Sequence, residues 1–236
     1  MTFFRKRSIF NRTSHLATIS AKDKTMNRLT EQFFQTPTGI FTQSDVAVLV
    51  NGTDFSHHGL IKRAMSGGEI LNIRRGLYCL ASKFQKKPIS VYGLAEKVYG
   101  PSYISMETAL SYHGWIPEAV YTCTCANFGN SKEFKTPLGL FSYKRVPQHT
   151  FFFGVERCKD ENDNVFFMAS PAKALADYLY IHQLNWTRLE EPIGSLRIDE
   201  DELACVRKDE LEALLDNYSN GRVKRFLTGW LNEVKS

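Results

Sequence analysis

GIFTQSDVAVLVNGTDFSHHGLIKRAMSGGEILNIRRGLYCLAS, residues 39–82, decides how the first third of the chain is read. Thr42 followed three residues later by Asp45 resembles a capping box, although Asp is not its usual third residue. Val46, Leu49 and Val50 then fall at helical spacing, and Asn51-Gly52 is a stop and turn. A further helix is predicted over 55–66, ended by Gly67-Gly68. Two short apolar runs, 70–73 and 77–80, flank Arg74, Arg75 and Gly76 and read as a β-hairpin. Upstream, Leu29, Phe33 and Phe34 share one helical face, which Pro37 and Gly39 end. Three helices and a hairpin in about fifty residues is the order of a winged helix-turn-helix.

At 100° per residue, the third helix turns Ile61, Ala64 and Met65 toward a core, with His57 on that side. Ser56, Gly59, Lys62, Arg63 and Ser66 fall opposite, the face a recognition helix offers to a major groove. Arg63 is suited to a guanine edge and Lys62 to a phosphate. Glycine inside a helix costs about 1 kcal/mol against alanine. At Gly59 it either lets the backbone approach DNA or marks a ragged helix start. His57 and His58 point about 100° apart and cannot share a metal. His57 reads as packing and His58 as a polar flank near phosphate. Arg74 and Arg75 sit at the hairpin tip, as a phosphate clamp or a solvated turn. Thr42 and Gln43, at the start of the middle helix, complete the candidate DNA-binding set.

The 236 residues of the whole chain fit one domain or two small ones. Residues 1–150 carry 19 Lys and Arg against 9 Asp and Glu, and residues 151–236 carry 11 against 16. The basic front suits a polyanion, and the acidic back suits a protein partner or solubility. No run of eighteen apolar residues exists, so no membrane span is expected. Five cysteines without a CxxC predict free thiols and a cytoplasmic location. Cys123 and Cys125 read as two small side chains on one strand face, since zinc would need a second pair.

Residues 1–26 have no period and are expected to be a disordered basic extension, with Met26 as an alternative start. Residues 27–82 form the predicted winged domain and 83–89, with Pro88, the linker. Residues 90–236 form a second, mixed unit. Helices are expected over 90–99 and from Ser105, which would cap Met106, Ala109, Leu110 and His113 at i, i+3, i+4 and i+7. Strands are expected at 120–128, 140–146, 151–157 and 165–169, with DENDN at 160–164 as a hairpin tip. The strand at 151–157 would turn two of Phe151, Phe152 and Phe153 to one face. Ser170-Pro171 opens a helix with Leu175, Tyr178 and Leu179 on its buried side. Two helices follow. Leu211, Leu214, Leu215 and Tyr218 mark the first. Val223, Phe226, Leu227, Trp230, Leu231 and Val234 mark the second and form the strongest amphipathic pattern in the chain. The acidic run 199–202 reads as a solvated loop or helix start. The predicted fold class is α+β, a winged helix-turn-helix followed by a mixed α+β domain with a helical tail.

The stretch at 39–82 resembles the winged domain of the AbiEi-like antitoxins of type IV toxin–antitoxin pairs. The shared features are the GIFT start, the basic pair Lys62-Arg63 and the hairpin LNIRRGLYCL. PSYISMETALSYHGWIPE at 101–118 and SPAKALADY at 170–178 look like the family's later signatures. The resemblance covers most of residues 39–180. It implies a transcriptional autorepressor that binds operator DNA through Lys62, Arg63, Arg74 and Arg75. It also implies that the second domain counters a nucleotidyltransferase-like toxin, with or without a stable complex. No cofactor, metal or enzyme activity is expected.

Other readings compete. Glu133 and Lys135 form an ExK, a pattern of Mg²⁺-dependent nucleases, with Glu118 as the nearest further carboxylate. Ser111, His113 and Asp177 are rejected as a triad, because Ser111 and His113 diverge on a helix and no nucleophile elbow exists. There is no P-loop and no GxGxxG. A free-standing regulator whose second domain senses a ligand is the remaining alternative.

Overall fold

The computed structural model describes residues 26–235. The extension expected over 1–26 lies, but for Met26, outside the described residues. Asn27 caps the first helix: its Oδ1 accepts from the Leu29 N–H at 3.0 Å, and its own N–H donates to Glu69 at 3.0 Å. That cap starts α1 (Arg28–Phe34), followed by β1 (Ile40–Thr42), α2 (Gln43–Leu49), α3 (Asp54–Ser66), β2 (Ile70–Arg74) and β3 (Leu77–Leu80). The three strands form an antiparallel sheet in the order β1-β3-β2. Residues 40–42 pass unnoticed in sequence because three residues carry no period.

The capping box at Thr42 is complete. Its Oγ1 accepts from the Asp45 N–H at 3.2 Å, and its own N–H donates to Asp45 Oδ2 at 2.7 Å. Aspartate therefore fills the third position despite its shorter side chain. His57 is buried, and its Nε2–H donates to the Val50 carbonyl at 2.8 Å, the C-cap of α2. This bond locks α3 against the end of α2 and gives the packing histidine a specific job. Two side chains assigned to the core, Met65 and Leu49, are exposed instead. Each lies at the margin of its helix's apolar stripe, which is narrower than the spacing implied. The hairpin turn is Arg75-Gly76, with Gly76 at φ +77°; Arg74 is the last residue of β2.

The hairpin is buried on both faces. Ile70, Tyr78 and Leu80 join Leu29, Phe33, Phe41, Val46, Ile61 and Ala64 in one core. Ile73, Leu77 and Cys79 join a second, larger core built by residues 94–231. Successive strand residues point to opposite faces, so Leu77 to Leu80 alternate between the two cores. The connection at 83–89 is pinned as well. Gln85 Nε2 donates to the Leu80 carbonyl at 2.6 Å, and Lys87 donates to the Asn162 carbonyl at 3.2 Å and pairs with Asp163 at 3.5 Å.

The larger unit comprises α4 (Val91–Val98), β4 (Ser102–Ile104), α5 (Met106–Tyr112), β5 (Thr122–Asn127), β6 (Lys132–Thr136) and β7 (Gly139–Arg145), then β8 (Val155–Lys159), β9 (Val165–Ala169) and α6 (Pro171–Ile181). α7 (Glu190–Leu196), α8 (Glu200–Ala204), α9 (Lys208–Asn217) and α10 (Gly221–Lys235) complete it. Its strands form one mixed sheet in the order β6-β7-β5-β4-β9-β8, in which β4 pairs with β5 antiparallel and with β9 parallel. The fold class is α+β.

Residues 151–154 are turn, and the strand starts only at Val155. Phe151 and Phe152 sit on the turn, with their rings 4.8 Å apart and Phe151 packed toward Tyr103. α7 falls where no helix is expected, whereas α8 takes the helix start offered for 199–202, with Asp199 as its N-cap; at seven and five residues both lack a full amphipathic repeat. Ser105 precedes α5 without capping it, and its hydroxyl donates to Asp177 at 2.7 Å. α10 buries Val223, Phe226, Leu227, Trp230 and Leu231. Gly229 on its flank receives the Thr187 carbonyl, whose oxygen would lie 1.8 Å from any Cβ placed there. Among the described residues, no helix is long and apolar enough to cross a membrane.

Candidate nucleic-acid interface

α3 divides into two faces. His57, Ile61 and Ala64 are buried. Lys62, Arg63 and Ser66 are exposed on the other side, with Gly59 half-buried between them. A Cβ at Gly59 would meet no heavy atom within 4 Å. The protein's own packing therefore does not demand a glycine there. Phe55, which the polar wheel omits, shares this face and is 89% exposed.

The nine candidate residues separate by what their side chains already hold. Lys62, Arg63 and Arg75 are exposed and have no side-chain partner among the described residues. Gln43 Nε2 lies 3.2 Å from His58 Nε2, so these two bridge the starts of α2 and α3. Thr42 is held in the capping box, and its hydroxyl also donates to Asp45 at 2.8 Å. Ser56 donates to the Thr53 carbonyl at 2.7 Å. Arg74 turns away from the tip. Its guanidinium donates to the Lys97 carbonyl of α4 at 3.3 Å and to the Arg75 carbonyl at 3.1 Å.

Charge is more local than the halves of the chain suggest. Residues 27–82 hold Arg28, Lys62, Arg63, Arg74 and Arg75 against Glu31, Asp45, Asp54 and Glu69. Much of the front-half excess lies upstream of them or in the connection. There Lys83 lies over the Phe84 ring at 4.7 Å and Lys86 over Phe34 at 5.2 Å. What the unit offers a duplex is one cationic helix face and one arginine at a turn.

Several side chains of the competing constellations are engaged by other partners. Glu133 is on β6, where its Oε1 accepts from Lys144 at 3.2 Å and from Ser142 at 3.4 Å. Glu118 pairs with Arg197. Ser111 donates to the Glu118 carbonyl, His113 bonds to the Ala169 carbonyl, and Asp177 is buried elsewhere. Among the described residues, no group of three His, Cys, Asp or Glu is arranged to hold a metal ion. Cys123 and Cys125 are buried with their sulfurs 3.8 Å apart on one face of β5.

A second polar centre was not singled out in sequence. Lys173 and Asp177, four residues apart on α6, are both fully buried and paired at 2.7 Å. Lys173 Nζ also donates to Tyr103 at 2.8 Å and to Tyr218 at 2.6 Å, which satisfies its three protons. Asp177 accepts further bonds from Tyr103, Ser105 and Tyr218. Gln148 Nε2 donates to Tyr103 at 2.8 Å. Burial pushes the Lys173 ammonium below its usual pKa, against the opposing pull of Asp177. Burial, and then the Asp177 carboxylate, push the phenols of Tyr103 and Tyr218 well above theirs. Both phenols therefore keep their protons and remain donors. The cluster ties β4, α6 and the end of α9 into one piece. The i, i+4 spacing of KALAD was its only signal, and on an exposed helix the same spacing is a weak surface pair.

No family model matches the chain, and no curated protein matches it.

Proposed function

We propose that the chain is a DNA-binding transcriptional autorepressor and the antitoxin of a type IV pair. In this reading residues 27–82 act as a winged helix-turn-helix on operator duplex. The larger unit counters a nucleotidyltransferase-like toxin in the cytoplasm. The observation that carries the DNA part is the outward face of α3, where Lys62 and Arg63 stand exposed and unpaired beside an uncovered glycine. Cations left without protein partners on the helix opposite its core are free to replace the counterions of a duplex. The antitoxin part rests on the resemblance of residues 39–180.

In this reading Arg63 reads a base edge, Lys62 and Arg75 hold phosphates, and Arg74 steadies the hairpin against α4. The test is binding of the full chain to the duplex upstream of its own gene, measured across salt. Two phosphate contacts give a log–log slope of about −2, steeper where residues 1–26 also touch the backbone. A flat salt response sinks the reading. Arg63→Ala should relax sequence preference, whereas Arg75→Ala should weaken all duplexes alike. For the antitoxin part, co-expression with a nucleotidyltransferase-like product of the adjacent gene should restore growth. Continued arrest refutes it.

A further inference from the structure

Phe55 is the side chain on the α3 face that charge does not explain. It lies in the first turn of the helix and is 89% exposed. At 100° per residue, Phe55, Gly59, Lys62 and Ser66 fall within about 60° of one another, opposite the buried His57, Ile61 and Ala64. Helical side chains lean toward the N-terminus, so a side chain at position 59 would lie over residue 55. Gly59 has none, and the space there is open. The phenyl ring is thus left uncovered among cations.

Single exposed apolar residues are ordinary on protein surfaces. This one occupies the first turn of the helix that the proposed function lays in a major groove, where N-terminal residues meet base edges. A phenyl ring has no hydrogen bond to offer there. The groove's apolar feature is the C5-methyl group of thymine. A second copy of the chain is the alternative occupant, and its oligomeric state tests it.

We propose that Phe55 is a specificity-determining residue that packs on a thymine methyl group and gives the protein a preference for thymine at one position of its site. This rests on the DNA-binding reading and adds a base identity to it. The experiment selects duplexes from a random-sequence library on the full chain. Each thymine of the enriched duplex is then replaced in turn by deoxyuridine, which pairs alike but lacks the methyl. At one position the replacement should weaken binding about fourfold, the worth of one buried methyl group. Phe55→Ala should bind both duplexes equally, and Phe55→Leu should keep part of the difference. Binding indifferent to every thymine, or an undiminished difference in Phe55→Ala, overturns this inference and leaves DNA binding standing. A fall in oligomeric mass on Phe55→Ala, read by light scattering, overturns it in favour of a protein contact. Failure to enrich any duplex overturns the DNA reading itself, and this inference with it.

Discussion

Two lysines show how differently the two parts of the molecule use the same charge. Lys62 stands in solvent on α3 with no protein partner among the described residues. Lys173 lies on α6, fully buried, with all three protons donated. The first cation holds nothing of the fold and is available to a ligand. The second is unavailable to any ligand and is part of what holds three chain segments together. Position on the helix relative to the core makes the difference, and it separates a charge left to solvent from a charge that keeps shape.

The contrast breaks or sharpens with measurement. The largest effect is expected at the buried pair. Lys173→Met leaves Asp177 charged and uncompensated, and should lower unfolding free energy by about 3–5 kcal/mol in urea titrations. A loss below about 1 kcal/mol would erase the distinction. Next comes Gly229→Ala, whose methyl would meet the Thr187 backbone carbonyl at 1.8 Å. It should cost about 3 kcal/mol by thermal melting, as overpacking against backbone does. In the first unit, Thr42→Ala removes a complete capping box, and a loss of about 1 kcal/mol is expected. The smallest change in stability belongs to the double variant Lys62→Ala with Arg63→Ala, within about 0.5 kcal/mol of the parent. That variant should reduce the salt slope of duplex binding by about 1, the share of the phosphate contact at Lys62. A stability loss there as large as at Lys173 would show that both lysines serve the fold.

What was legible in the sequence follows from period. α10 repeats its apolar residues over four turns, and α3 sets its apolar stripe against a polar one. Both agree with the structure except at Met65 of α3, which is exposed. β1 and β4 have three residues each and so no period to detect, although β4 lies inside the larger sheet. Residues 151–154 were misread because three phenylalanines in a row suggest a strand, whereas Gly154 at φ +69° belongs to a turn. The buried pair on α6 was missed because charge is ordinarily a sign of surface. Of the candidate site, the outward placement of Lys62 and Arg63 was legible from the helical wheel. The turning of Arg74 onto Lys97 was not, because it depends on a contact 23 residues distant. The run Leu77 to Leu80 also held an unread signal. Four apolar residues without alternation describe a strand covered on both sides.

That doubly covered hairpin bears on how such a protein can be rebuilt. Residues 27–89 look, by length and connection, like a head that another protein's head could replace. Yet Ile73, Leu77 and Cys79 belong to the larger core. A chimera joined at the connection would import a hairpin whose back was shaped for water or for some other neighbour, and the acceptor would be left with an open wound along that contact. The transferable cassette is the head together with the back of its hairpin. Grafts that carry over those three side chains should express as well-behaved monodisperse protein, while grafts that ignore them should aggregate.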